Sequence, residues 1–225
     1  MKKLLHYSNS DIVKIEMAGN RIHKGIIIDS SKEIIVLFNG DDFIYIPFEH
    51  ILTIIVDEDK DNEIPNPSQP PSIISTEDNN DLTLRTVLTQ ARERFVEIYV
   101  SGSQSFHGYI SEIKNDYFVF QSPVYKTLFI AIDHLKWLIP YNTDESPYQL
   151  DNEQIPISSI ENNLPTTLYS LISNMKGKLI IFNSDEKNKH IGKLTGVKGK
   201  LIALQPAKSS IQYVNLAHIK TVQVI

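Results

Sequence analysis

The sequence repeats one pattern three times: a glycine, an apolar run that begins nine residues later, and a closing histidine. The glycines are Gly25, Gly108 and Gly192, and the histidines are His50, His134 and His218. The distance from glycine to histidine is 25 residues in the first copy and 26 in the other two. Similarity at a fixed period is typical of a tandem array in which one supersecondary unit recurs. The sequence therefore predicts three modules of one fold.

Two acidic segments separate these modules. Residues 57–81 contain eight acidic residues, one lysine and four prolines, a composition that favours an extended, solvated linker. Residues 142–163 contain five acidic residues and no basic one, together with apolar side chains such as Tyr148 that could dock on a module. We therefore place module 1 at residues 1–56, module 2 at residues 82–141 and module 3 at residues 164–225.

The hydrophobic period changes from helical to strand-like within each of the later modules. Modules 2 and 3 open with short amphipathic helical patterns, for which Asp81 is the expected N-cap and Pro165 the expected first-turn residue. Five short apolar runs follow, which in module 3 are residues 178–182, 191–197, 200–205, 211–216 and 219–225. In module 1, Asn39 and Gly40 form a pair that favours a tight turn between two strands.

These elements predict a mainly β protein made of three tandem small, bent, five-stranded antiparallel barrels of the Sm-like or SH3-like kind, at least two of them preceded by a short helix. A glycine inside the second strand suits such a barrel, because a five-stranded sheet closes only if a strand bends sharply. Barrels of this kind leave unpaired edges near their fourth and fifth strands. We therefore expect edge-to-edge pairing between modules.

Catalytic and metal-binding patterns are missing from the sequence. The chain has no cysteine, and the segment 192–200 has the wrong spacing for a phosphate-binding loop, with Leu201 where such a loop has serine or threonine. The three histidines follow apolar strands where the chain turns, a place where imidazole can bond backbone groups, so we interpret them as structural. We expect no enzymatic activity, no cofactor and no metal.

The ends of the predicted strands in module 3 are rich in lysine. This module has nine lysines and two acidic residues, and six of the lysines form a candidate basic interaction patch: Lys187, Lys189, Lys193, Lys198, Lys200 and Lys208. An acidic partner, either a linker of this chain or another protein, is the favoured interpretation. Binding of single-stranded RNA by an Sm-like regulator is the alternative.

Residues 168–222, with the pattern of glycine, apolar third strand and closing histidine, resemble the repeat of the spore coat protein B family of endospore-forming bacilli, which also has three Sm-like units. The resemblance implies a non-catalytic structural component of the spore coat, assembling with other coat proteins or with copies of itself. It also implies synthesis in the mother-cell cytoplasm before deposition on the forespore, which agrees with the lack of a signal-peptide core or a transmembrane run. Family members carry a Ser/Lys/Arg-rich tail that is phosphorylated. This sequence contains no such segment, so we carry no phosphorylation over.

Overall fold

The computed structural model describes residues 11–58, 64–74, 82–92, 94–142, 147–149 and 163–225. These residues form fifteen β-strands and two α-helices, so the protein is mainly β, as the sequence predicts. Both helices are seven residues long. Within the described ranges, no helix has the length and apolar character needed to cross a membrane.

Module 1 supplies five strands joined by short turns. They are β1 (Ile12–Met17), β2 (Arg21–Ser30), β3 (Ile34–Phe38), β4 (Phe43–Pro47) and β5 (Ile51–Val56). The predicted turn between β3 and β4 is confirmed. Gly40 has a φ of 110°, and the side-chain oxygen of Asn39 accepts hydrogen bonds from the backbone N–H groups of Asp41 and Asp42.

Module 2 begins with a helix and continues with five strands. The elements are α1 (Leu84–Gln90), β6 (Phe95–Tyr99), β7 (Phe106–Ile113), β8 (Tyr117–Ser122), β9 (Lys126–Ala131) and β10 (Trp137–Pro140). The expected cap Asp81 lies outside the described residues. The N-cap is Thr83, whose hydroxyl oxygen accepts a hydrogen bond of 3.1 Å from the N–H group of Thr86.

Module 3 repeats this order. Its elements are α2 (Leu168–Asn174), β11 (Leu179–Phe182), β12 (His190–Lys198), β13 (Leu201–Gln205), β14 (Gln212–Asn215) and β15 (Thr221–Val224). Each of the five predicted runs overlaps one strand. The helix starts at Leu168, so Pro165 is not in its first turn as expected. Thr167 is the N-cap, and its hydroxyl oxygen accepts a bond of 3.3 Å from the N–H group of Ser170.

Contacts divide the chain into two compact units, whose boundary passes through module 2. Unit 1 comprises Met1–Tyr99 with Lys136–Thr143, and unit 2 comprises Val100–Leu135 with Asp144–Ile225. The strand order in unit 1 is β6-β10-β4-β3-β2-β1-β5, and in unit 2 it is β14-β13-β12-β11-β15-β9-β8-β7. The strand pairs within each unit are antiparallel.

Three separate closed barrels are not what these sheets form. In unit 1 the sheet continues from module 1 into module 2 where β4 pairs with β10, and in unit 2 it continues from module 2 into module 3 where β9 pairs with β15. The sheets are therefore open: a module's fourth strand does not close onto the fifth strand of the same module but pairs with the fifth strand of the next. Edge-to-edge pairing between modules was the expectation, and it is present.

The two predicted linkers are not wholly solvated. In unit 1, Ile73 is fully buried, and its backbone N–H and C=O groups both bond the hydroxyl group of Tyr45, at 3.1 and 2.9 Å. Burial raises the pKa of Tyr45 to about 12. The extended, solvated description is thus wrong at Ile73, where a buried hydroxyl needs partners. In unit 2, Tyr148 meets the ring of His107 edge-on at 6.0 Å and is 52% exposed, so its docking on a module stays a prediction.

Each unit has its own hydrophobic core, to which two modules contribute. In unit 1, apolar residues of β1 to β4 pack with Tyr99 and Trp137 of module 2. In unit 2, residues of β8 and β9 pack with α2 and with the strands of module 3. The cores are therefore completed by side chains from a neighbouring module, which explains why a module of this size need not be stable alone.

Candidate functional site

The three signature glycines occupy equivalent positions at which a side chain would collide with the next strand. They are Gly25 on β2, Gly108 on β7 and Gly192 on β12. A Cβ atom added to Gly192 would lie 2.8 Å from the carbonyl oxygen of Gln205. At the other two glycines the corresponding carbonyl oxygens, those of Phe38 and Gln121, would be closer still. The glycine thus permits the third strand to approach the second.

A β-bulge follows each glycine. The register of the second and third strands shifts between Ile27 and Asp29, between Ile110 and Glu112, and between Leu194 and Gly196. The extra residue lies three positions after the glycine in all three modules. In modules 2 and 3 it is Ser111 or Thr195, whose hydroxyl group donates to a carbonyl of the neighbouring strand. Because a bulge bends a strand and increases its twist, the second strand bends at the same place in each module.

Each signature histidine closes a 3₁₀ turn between the fourth and fifth strands. The turns are Phe48–His50, Ile132–His134 and Leu216–His218. In unit 2, Nε2 of His134 lies 3.1 Å from the carbonyl oxygen of Ala217, within the turn of module 3. Burial lowers the pKa of His134, which favours the neutral ring, with Nε2–H donating to this oxygen. His134 therefore bonds module 2 to module 3, and a structural role for all three histidines stays a prediction.

The strand pairs that join modules have the same register in both units. In unit 1, Tyr45 of β4 lies opposite Leu138 of β10, and in unit 2, Phe129 of β9 lies opposite Val222 of β15. The aromatic residue is five positions before its module's histidine in each case, and its partner is four positions after the next histidine. All four side chains are buried. One joint is therefore used twice.

A helix start accompanies each joint. In unit 1, the backbone N–H group of Leu84 donates to Oε2 of Glu33 at 3.0 Å, and in unit 2 that of Leu168 donates to Oδ1 of Asp116 at 2.8 Å. Glu33 and Asp116 both lie eight residues after their module's glycine. The first N–H groups of a helix have no partner inside the helix and carry positive partial charge, so a carboxylate stabilises them. The helix of a later module thus docks on the turn of the module before it.

An aromatic stack reinforces the joint in unit 1. The rings of Tyr99 and Trp137 are stacked at 4.0 Å with an interplanar angle of 12°, and His23 packs edge-on against Trp137 at 4.5 Å. The guanidinium group of Arg21 lies 5.0 Å from the centre of the Tyr99 ring. Burial lowers the pKa of His23, so the imidazole is neutral in this apolar setting. Trp137 is the only tryptophan of the chain.

The fourth strand of module 3 and the fifth strand of module 1 have no such partner. Among the described residues, β14 pairs only with β13, and β5 pairs only with β1. Tyr213 of β14 is 68% exposed, whereas the equivalent Tyr45 and Phe129 are 1% and 7% exposed. Leu52 of β5 is 66% exposed. We call the unpaired sides of β5 and β14 the outer edges.

Comparison with known proteins places the chain in a family. The model of the YwrJ third domain matches residues 167–222. An uncharacterized protein of Bacillus subtilis (strain 168), YwrJ, is 36% identical over 225 residues, which cover 98% of this chain and 98% of that protein. The chain belongs to the YwrJ family. Spore coat protein B of the same strain is 23% identical over 144 residues, which cover 64% of this chain and 36% of the coat protein. The YwrJ family is thus related to a Bacillus spore coat protein, which confirms the resemblance in its coarser form.

The six lysines of the candidate patch are exposed in this YwrJ-family chain, but they lie at two ends of one hairpin. Lys198 and Lys200 flank the turn between β12 and β13. Lys193 lies opposite Gln205, five residues from Lys198 along β12, which corresponds to about 16 Å of strand. Lys187, Lys189 and Lys208 belong to the loops at that far end. A shared role for these lysines stays a prediction, and their placement gives the RNA-binding alternative no support.

The described part of the chain offers few candidates for a metal site or a ligand-binding site. No three histidine, aspartate or glutamate side chains in those ranges are arranged to hold a metal ion. A shallow cleft in unit 2 is lined by Gln104, Ser105, His107, Val124, Tyr125 and Tyr148. What recurs in this member of the YwrJ family is the joint between modules.

Sequence reasoning missed a polar side chain that holds the last turn of the YwrJ third domain. Asn183 is buried with a φ of 55°, and its amide group donates to the carbonyl oxygen of His218 at 3.0 Å. Its side-chain oxygen accepts a bond of 2.8 Å from the N–H group of Lys220. Asparagine tolerates left-handed backbone better than most residues, so an asparagine directly after the strand LIIF was the available signal. The carboxylates Glu33 and Asp116 were missed as well, because their partners lie 51 and 52 residues away.

Proposed function

We propose that this protein is a non-enzymatic structural component of the bacterial spore coat, which assembles with other coat proteins or with copies of itself through its β modules. The observation that carries the proposal is the repeated joint. The fourth strand of one module pairs with the fifth strand of the next in the same register in both units. A chain whose recurring feature is a strand joint is suited to building an extended protein layer. Kinship with spore coat protein B supplies the context.

The proposal includes an Sm-like or SH3-like character for each module. The strand order β4-β3-β2-β1-β5 of module 1 and the order β14-β13-β12-β11-β15 of module 3 are equivalent, and each second strand carries the bulge described above. Both features support a strongly bent five-stranded unit whose fourth and fifth strands are available to neighbours. Several weak contacts of this kind, tethered in one chain, reinforce one another without any single strong site.

The protein is then made in the mother-cell cytoplasm and moves to the forespore surface. The test is fluorescence microscopy of a full-length fusion in a sporulating bacterium that carries this gene, with the unfused fluorescent protein as control. We expect a shell of signal around the forespore that persists on the released spore. A fusion that stays uniformly distributed in the mother cell throughout sporulation would refute the coat assignment.

A further inference from the structure

We infer that the outer edge of β14 in one copy of this protein pairs with the outer edge of β5 in a second copy, in the register of the two internal joints. The inference deepens the proposed function, on which it rests, by naming the partner and the surface. By equivalence, Tyr213 lies opposite Ile54 of the neighbouring copy, and Val214 lies opposite Thr53. This contact is a third instance of the joint that Tyr45 forms with Leu138 and Phe129 forms with Val222.

Exposure of apolar side chains distinguishes the outer edges from the internal joints. The aromatic position of the fourth strand is buried in modules 1 and 2 and exposed at Tyr213. On the other edge, Leu52 and Ile55 of β5 are exposed, and Ile211 directly precedes β14 with its side chain exposed. These residues are the large apolar side chains that a strand joint would cover.

Neither outer edge carries the residues that usually prevent strand pairing. Natural edge strands are blunted by lysine, other charged side chains or proline. The strand β5 reads ILTIIV and β14 reads QYVN, so neither contains a charged residue or a proline. In module 1, by contrast, the fourth strand ends with Pro47 and is already paired internally. Asn215 stands at the equivalent position of β14 and keeps its N–H group.

The internal joint in unit 2 also supplies two hydrogen bonds that the new contact can repeat. The N–H group of Ala131 donates to the carbonyl oxygen of Lys220 at 2.9 Å, and the imidazole of His134 bonds the carbonyl oxygen of Ala217. By equivalence, Asn215 would donate to Leu52 of the neighbouring copy. His218 would bond the carbonyl oxygen of Glu49 there.

Charge favours this orientation. In the inferred register, the chain preceding β14 runs beside the chain following β5. Lys208 belongs to the first of these segments, and the second begins with Asp57 and Glu58, where the acidic segment 57–81 starts. Lys208 of one copy therefore lies near Glu58 of the next, while Asp57 is bonded by Lys14 and Lys24 of its own module. Because the two edges differ, the contact is head-to-tail and yields either a closed ring or a filament.

The decisive test uses disulfide trapping in full-length protein, which contains no native cysteine. One chain carries Ile54→Cys, and a second chain, distinguishable by a mass tag, carries Tyr213→Cys. Residues directly opposite each other in antiparallel strands have Cα atoms about 4.5–5.5 Å apart, within the range of about 4.4–6.8 Å that a disulfide spans. We expect oxidation of the mixture to yield the mixed dimer in at least tenfold excess over either self-linked dimer.

The matched control replaces Ile54→Cys by Thr53→Cys. Its side chain points to the opposite face of β5, so the mixed dimer with Tyr213→Cys falls to background. Sedimentation of the cysteine-free protein provides the second measurement. We expect oligomers at about 100 µM that Tyr213→Lys converts to monomers, with the fluorescence of Trp137 unchanged, since Tyr213 is on the surface and in the other unit.

Two results would overturn the inference. One is a monomeric mass without mixed cross-links. The other is preferential linkage of Tyr213→Cys to itself, which would indicate a symmetric β14–β14 contact. Failure here is distinguishable from failure of the proposed function. A monomeric protein that still forms a shell around the forespore would keep the coat role and refute this contact, whereas oligomers in vitro with a diffuse signal in cells would do the reverse.

Discussion

Two glycines on the same strand allow a matched test of why the repeat keeps a glycine. Gly192 and Gly196 both lie on β12 in unit 2. A Cβ atom at Gly192 would lie 2.8 Å from a backbone oxygen, whereas at Gly196 it would meet no atom within 4 Å, and neither residue has a left-handed φ. Replacing each by alanine therefore changes the same chemical group in opposite environments.

The expected effects differ in sign. At Gly192 the carbonyl of Gln205 must move by about 0.6 Å to reach an ordinary contact, and overpacking of this kind costs about 1–3 kcal/mol of unfolding free energy. At Gly196 the substitution restricts the unfolded chain and stabilises by about 0.4–1 kcal/mol. The two variants should thus differ by about 1.4–4 kcal/mol. At about 2–4 °C per kcal/mol for a chain of this size, the melting temperatures should differ by about 3–16 °C.

Thermal unfolding followed by circular dichroism and calorimetry measures this difference. Since both glycines belong to unit 2, any effect should fall on the same transition. Gly108→Ala, where the oxygen is closer than at Gly192, should lower the melting temperature further. Equal melting temperatures for Gly192→Ala and Gly196→Ala would show that close approach of the third strand is not the reason for the glycine.

Two further predictions concern unit 1. Leu138→Ala removes a buried side chain from the internal joint and should lower the free energy of unfolding by about 2–5 kcal/mol, measured by urea unfolding followed by Trp137 fluorescence. The control Ile22→Ala, at an exposed site, should change it by less than about 0.5 kcal/mol. Equal losses for the two variants would contradict the buried joint. The second prediction concerns acid stability. Lys24 and Lys14 bond the carboxylate of Asp57 and lower its pKa to about 2. The stability that this carboxylate contributes is therefore complete above its unfolded-state pKa of about 3.9 and is lost as the pH falls toward 2. Asp57→Asn should remove this part of the dependence of unfolding free energy on pH between pH 4 and 2. Asp41→Asn, in an exposed turn, is the control and should leave it unchanged. Identical pH profiles for Asp57→Asn and the parent protein would exclude the ion pairs as the source of the acid dependence.

Most of the secondary structure could be predicted from local sequence patterns. The strands of module 3 and the turn at Asn39 and Gly40 follow from apolar runs and turn residues, which act over a few positions. Helix starts were less accurate, since threonine at Thr83 and Thr167 competes with nearby aspartate and proline as a start signal. A sequence pattern alone does not show which of these neighbouring residues caps the helix, because the N-cap is the residue whose side chain reaches a free backbone N–H group.

Contacts between distant residues were beyond local patterns. The repeat predicted that edges would pair but not which module would complete which core, so that Tyr99 and Trp137 of module 2 were not expected in the core of module 1. The bonds from Glu33 to Leu84 and from Asp116 to Leu168 depend on where the following module docks. They become recognisable only when the two carboxylates are seen to occupy the same position in the repeat.

The third strand of module 3 is less buried than the third strands of modules 1 and 2, and the contacts of the neighbouring modules explain this difference. The third strands β3 and β8 are buried along their whole length, whereas β13 alternates buried and exposed residues, with Leu201 exposed. In unit 2, Leu168 and Leu171 of α2 pack with Tyr117 of β8, so the helix of module 3 covers the strand of module 2. Where module 2 has Asp116 to receive that helix, module 3 has Lys200, and β13 has no following helix among the described residues. The alternating burial of β13 is therefore what a repeat of this kind shows where no further module is docked, and the same reasoning explains why Tyr213 on the adjacent β14 is exposed while its counterparts are not.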